Sequence, residues 1–188
     1  MKVTKLISAL AFSVVAVTVC ACAQTTVFVP GNASGYFGSP AYGVVPMLPA
    51  ITVSGASTIT ITYVSGTVDF GIGIEVGPNG GVYPGTGNQY PLQEAKGIAN
   101  MAKIDNMAAL IGVFVPQSRT QMKGFTALDG TKNVVTAGIM PDGIFFIGEG
   151  KTITVKEAGT LFLGINDSGV VDNSGGFTMQ VSTTSAGK

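Results

Sequence analysis

The chain has 188 residues, of which 46% are hydrophobic and only 11% charged, and ten basic residues balance ten acidic ones. Histidine and tryptophan are absent. That excludes Ser-His-Asp and Cys-His catalysis and histidine-built zinc sites, and the lack of a basic excess argues against nucleic acid as a partner.

The N-terminus reads as a secretory signal. Lys2 and Lys5 precede an apolar run over 6–19, and Ala21-Cys22-Ala23 offers small residues for cleavage. The apolar run is too short to span a bilayer. Cleavage after Ala23 would start the mature chain at Gln24 and send it to the periplasm, the cell surface or the medium. Lipid attachment at Cys22 is a second, weaker reading of the same residues. Both cysteines lie in this segment, so the mature part carries no disulfide although its compartment would permit one. Removing Lys2 and Lys5 leaves 8 basic against 10 acidic residues, a net charge of −2. The remaining length is that of one ordinary domain with room for a core.

Residues 24–50 are rich in Gly, Pro, Ser and Tyr and read as an extended lead-in. From 51 to 184 the pattern is that of an all-β, antiparallel β-sandwich. Thr58-Ile59-Thr60-Ile61-Thr62-Tyr63 alternates with period two, which places Ile59, Ile61 and Tyr63 on one face. Phe70-Gly71-Ile72-Gly73-Ile74-Glu75-Val76 repeats that alternation with glycines on the other face. Further strands are expected at 51–53, 110–115, 144–147, 152–155, 160–165 and 177–181. Gly77-Pro78-Asn79-Gly80, Pro141-Asp142-Gly143 and Glu157-Ala158-Gly159 supply the turns between them. Two segments break the rhythm. Residues 92–104 hold good helix formers around Gly97 and predict a short helix. Residues 116–142 are long and polar for a sandwich connection and predict a hairpin excursion or a mobile loop.

The chemistry gathers in Gly164-Ile165-Asn166-Asp167-Ser168-Gly169-Val170-Val171-Asp172-Asn173-Ser174-Gly175. Two carboxylates and two carboxamides fall within eight residues, flanked by apolar runs. Oxygen-only ligands in a tight loop suit a hard cation such as calcium, which takes 6–8 oxygens in flexible geometry. The plainer reading is a hairpin turn, since Asn, Asp, Ser and Gly also close turns through local side-chain bonds. Asp167 and Asp172 do not read as a glycosidase pair. A general acid needs an apolar pocket to raise its pKa, and this loop is polar throughout. No enzymatic activity is expected.

Taken in order, the run 58–63, Gly66-Thr67-Val68-Asp69-Phe70-Gly71, Gly77-Pro78-Asn79-Gly80, Ala109-Leu110-Ile111-Gly112, Phe146-Ile147-Gly148, Leu163-Gly164-Ile165-Asn166-Asp167 and Asp172-Asn173-Ser174-Gly175 resemble the PA-IL-like galactophilic lectin family. Members of that family are small jelly-roll-like β-sandwiches that hold one calcium ion, which directly binds vicinal sugar hydroxyls. The resemblance implies metal ligation by the side chains of Asp167, Asp172 and Asn173 and by the backbone carbonyls of Phe70 and Val170. It implies a sugar contact by Asp167 and Asp172, joined by Tyr83 and Thr86. Tyr83 falls close to where the family places a histidine, and the loop from Asp167 to Asp172 is shorter than the family's. The implied partner is a galactose-type or related glycan, and the protein would be a calcium-dependent lectin, with homo-oligomerisation an open option. The alternative is an extracytoplasmic structural or surface-interaction sandwich that has lost the sugar.

Overall fold

A computed structural model of the chain describes residues 22–34, 45–82, 106–119, 124–128, 134–138, 144–167 and 170–185. It is all-β. The strands, in chain order, are β1 (Cys22–Pro30), β2 (Ala33–Ser34), β3 (Val45–Pro46), β4 (Leu48–Val53), β5 (Ser57–Ser65), β6 (Val68–Asp69), β7 (Glu75–Val76), β8 (Ala109–Pro116), β9 (Gly124–Leu128), β10 (Val134–Gly138), β11 (Ile144–Phe146), β12 (Gly150–Val155), β13 (Gly159–Asn166) and β14 (Ser174–Ser185). Two single 3₁₀ turns, Gln117–Arg119 and Val170–Asp172, interrupt them. No helix among the described residues is long and apolar enough to cross a membrane.

All of these strands but β9 and β10, which pair only with each other, form two facing sheets. One runs β12-β5-β14-β6-β7, with β1 on the free edge of β14. The other runs β11-β8-β13-β2-β3, with β4 also paired to β13. Pairing is antiparallel except where the short β2 meets β13 and β3. Both sheets are therefore organised around a central strand, β14 in one and β13 in the other.

Sequence periodicity accounts for what each strand buries. In β5, Ser57, Ile59 and Ile61 are buried while Thr58, Thr60 and Thr62 lie toward the outer face, the alternation expected of a strand with one wet side. In β14 the inward set is Phe177, Met179, Val181 and Thr183. Strand β13 behaves differently and is buried almost from end to end. Covering both edges and both faces removes the need for polar alternation, so Leu161-Phe162-Leu163 reads as a continuous apolar run. Gly164 allows Met47 and the Ala33 carbonyl to close over that strand, because a Cβ there would lie 2.8 Å from Met47 Cγ. Phe177 is fully buried and meets the Tyr63 ring edge-on at a centroid distance of 6.3 Å. Burying such a side chain contributes about 1.5–3 kcal/mol, and the Tyr63 hydroxyl still reaches an acceptor, donating to the Gly66 carbonyl at 2.7 Å.

Two sequence readings change here and a third is narrowed. The sandwich takes in more chain than 51–184. Residues 22–30 pair with β14 from Cys22↔Thr184 to Pro30↔Gly176, and Val29 joins the core. Exposure alternates along Thr26-Val27-Phe28-Val29 while residue polarity does not, and the Gly- and Pro-rich composition further on obscures the strand. The expected strand 70–76 is broken: only β6 and β7 pair, and 70–74 forms a loop between them. Of the two readings for 116–142, the structure holds the hairpin, with β9 and β10 in register from Gly124↔Gly138 to Leu128↔Val134. The expected helix at 92–104 and the signal segment up to residue 21 lie outside the described residues.

Candidate functional site

Strand β13 belongs to one sheet and β14 to the other, so residues 167–173 carry the chain from sheet to sheet at one end of the sandwich. Backbone pairing draws other segments to this end. Ser174 and Gly175 pair with Asp69 and Val68, which sets β6 beside the start of β14. The Gly31 N–H donates to the Gly175 carbonyl at 3.0 Å, and the Ala108 N–H donates to the Asn166 carbonyl at 3.0 Å. Gly81 and Met107 exchange two backbone bonds of 2.9 Å, so the chain leading toward Tyr83 passes the same end. Ala108 holds a positive φ of 57° and is fully buried. A non-glycine residue there costs about 1–3 kcal/mol and persists only where surrounding structure imposes it.

Polar groups in this turn are enclosed to an unusual degree. Asn166 and Asp167 are 0% and 1% exposed. The Asn166 amide donates from Nδ2 to the Asn106 carbonyl at 2.9 Å, tying the end of β13 to the approach to β8. Asn173 donates from Nδ2 to the Gly31 carbonyl at 2.9 Å. Because Gly31 presents an acceptor, the amide must place its nitrogen there, and this fixes which end is the oxygen. That oxygen, Asn173 Oδ1, is buried and accepts no hydrogen bond. Leaving such a group unsatisfied costs about 1–3 kcal/mol.

The remaining expected residues occupy the same end with different surroundings. Val170 is buried, and its carbonyl accepts the Asn173 N–H at 3.2 Å, closing the 3₁₀ turn. One of the two lone pairs of that oxygen remains for another partner. Asp172 is exposed, and its carboxylate lies against Gly71, where any Cβ would collide with it. Gly71 also holds φ at 89°, a conformation that costs a side chain dearly. Phe70 turns its ring inward, 2% exposed, so any contact it makes with a ligand runs through its backbone. Asp167, Val170, Asp172, Asn173 and Phe70 thus share one end of the molecule. Tyr83 and Thr86 lie outside the described residues.

Two features of this end escaped the sequence reading. Asp69 Oδ1 accepts three backbone N–H groups, from Gly71 at 3.0 Å, Ile72 at 3.2 Å and Gly73 at 3.0 Å. An aspartate followed by Gly-x-Gly is a signal for such a side-chain-capped loop, and it was hidden by the apparent period-two pattern of 70–76. Asn106, which accepts from Asn166 through its carbonyl and donates to the Asn79 carbonyl at 2.8 Å, carries no comparable signal.

The donor set is hard and oxygen-only. Among the described residues no three His, Cys, Asp or Glu side chains cluster as a metal site. The set at this end holds only two carboxylates, the rest being an amide and backbone oxygens. No family model matches the chain, and no curated protein matches it either.

Proposed function

We propose that the turn between β13 and β14 binds a calcium ion and, through it, the hydroxyl groups of a carbohydrate. The observation that carries this reading is the enclosed Asn173 Oδ1, an oxygen held in place by a bond at the other end of its own amide and accepting nothing. A cation is the natural complement to such an atom when a carboxylate as enclosed as that of Asp167 lies in the same turn. The residues fit a calcium ion in kind: Asp167 and Asp172 offset its charge, and the amide and carbonyl oxygens of Asn173, Phe70 and Val170 add ligands without further repulsion.

Calcium's contribution is to accept hydroxyl oxygens in a loose coordination shell with no proton transfer. The protein's own residues do the rest. Asp167 and Asn173 hold the ion from the enclosed side, and the exposed Asp172 sits where it can accept a hydrogen bond from a sugar hydroxyl. Binding of this kind needs neither a general base nor a nucleophile. The sequence likeness to galactophilic lectins supports the same reading, including an exported protein and a role for Tyr83 and Thr86 beside the sugar.

Calorimetry on chelator-treated protein, first with calcium and then with a panel of glycans including a galactoside, tests both halves. Saturable calcium binding is expected, and at a hundredfold excess over Kd it stabilises by about 2.7 kcal/mol. For a chain of this size that raises Tm by roughly 5–11 °C. Sugar heat should appear only with calcium present, and Asp167→Asn should lose both. An unchanged Tm with saturating calcium defeats the metal reading; calcium binding with no glycan response leaves a structural ion and defeats the lectin.

A further inference from the structure

We infer that Asp69 is a positioning residue for this ion site: it aims the Phe70 carbonyl and keeps the Gly71 backbone open to Asp172. The inference rests on the calcium reading above and adds a residue to which neither the sequence likeness nor the donor set gives a role.

Peptide geometry sets the direction of this carbonyl. The Phe70 carbonyl and the Gly71 N–H belong to one peptide unit, and the described residues include no cis peptide. In a planar trans unit the two bonds point in opposite directions. The Gly71 N–H is held by Asp69 Oδ1 at 3.0 Å, so the Phe70 carbonyl is directed away from Asp69. The next two amides, of Ile72 and Gly73, donate to the same oxygen and stop the plane from rotating independently. One carboxylate oxygen therefore locks three consecutive peptide units.

Asp69 is itself anchored. It pairs with Ser174 across the β6–β14 ladder, one residue beyond Asn173. The loop 70–73 is thus referenced to the strand that begins immediately after the turn. Gly71 then completes the fit, because its left-handed φ and missing Cβ leave the space that the Asp172 carboxylate fills. Residues that orient ligands without touching the metal typically change its affinity by 10–100-fold.

The test compares wild type, Asp69→Ala and Asp69→Asn in calcium calorimetry, alongside amide hydrogen exchange at residues 71–73 in chelator. Asp69→Ala should weaken calcium binding by about tenfold or more and speed exchange at all three amides, with the core strands unchanged. Asp69→Asn retains an acceptor oxygen and should restore affinity close to wild type. Wild-type affinity in Asp69→Ala would overturn the inference while leaving the calcium site standing. Equal weakness in both variants would also overturn it, because charge rather than hydrogen bonding would then be at work. If wild type itself binds no calcium, the site reading fails and takes this role with it, whatever the exchange rates show.

Discussion

The two ends of the sandwich are built from similar turns yet treat polar groups in opposite ways. At the end where β4 passes to β5 and β12 to β13, polar atoms are near solvent or satisfied locally. Ser57 Oγ donates to the Gly55 carbonyl at 3.0 Å, the Gln117 N–H reaches the Ala158 carbonyl at 2.8 Å, and Ser118 donates to Glu157 at 2.7 Å. Turn residues 54–56 and 156–158 are exposed or half-buried. At the end where β13 passes to β14, a carboxylate and two carboxamides are drawn inside, and Asn173 Oδ1 is enclosed with no hydrogen bond. Carrying the chain from one sheet to the other does not require this, as the first end demonstrates. Buried polar groups weaken a fold unless something compensates them, so the second end carries a cost that chain reversal alone cannot explain. A bound cation, as proposed above, would compensate it.

Substitutions at the two ends should separate along the same line. The largest effect on binding belongs to Asp167→Asn, which keeps the side-chain volume but removes one of two carboxylate charges; the calcium-dependent rise in Tm should disappear. Gly71→Ala comes next. It forces a side chain into the left-handed region and against the Asp172 carboxylate, so thermal melts in chelator should show a loss of about 1–3 kcal/mol. Calcium affinity should fall with it, and a variant that melts and binds like wild type would remove Gly71 from the site. The smallest effect is expected at the opposite end. Ser57→Ala deletes one local hydrogen bond and should cost about 0.5–1.5 kcal/mol in melts, with calcium binding unchanged. Loss of calcium binding in that variant would mean the two ends are not independent.

How much of this was visible in the sequence depended on whether a residue's role was local. Period-two alternation located β5 and β14, and the apolar run 160–165 located β13, because burial against a sheet imposes a repeat that composition records. The turn 164–175 stood out because carboxylates and carboxamides crowd a chain that is otherwise poor in charge. What failed was arbitration between two periodic readings. Phe70-Gly71-Ile72-Gly73 alternates like a strand, yet Asp69 satisfies three of its amides and removes the need for a partner strand. Strand β1 was missed for the converse reason: its pairing partner is remote in sequence, from Cys22↔Thr184 to Pro30↔Gly176, and nothing local announces it. Nor does the sequence reveal that Asn173 spends its nitrogen on Gly31, since that contact spans 142 residues.

A crystal structure of the protein grown with saturating calcium addresses the central claim most directly. The account predicts a single strong peak at the β13–β14 turn, with oxygens of Asp167, Asp172 and Asn173 at about 2.3–2.6 Å from it and backbone carbonyls filling further positions. A calcium-saturated crystal in which Asn173 Oδ1 faces a water or a protein donor, with no ion in the turn, would contradict it.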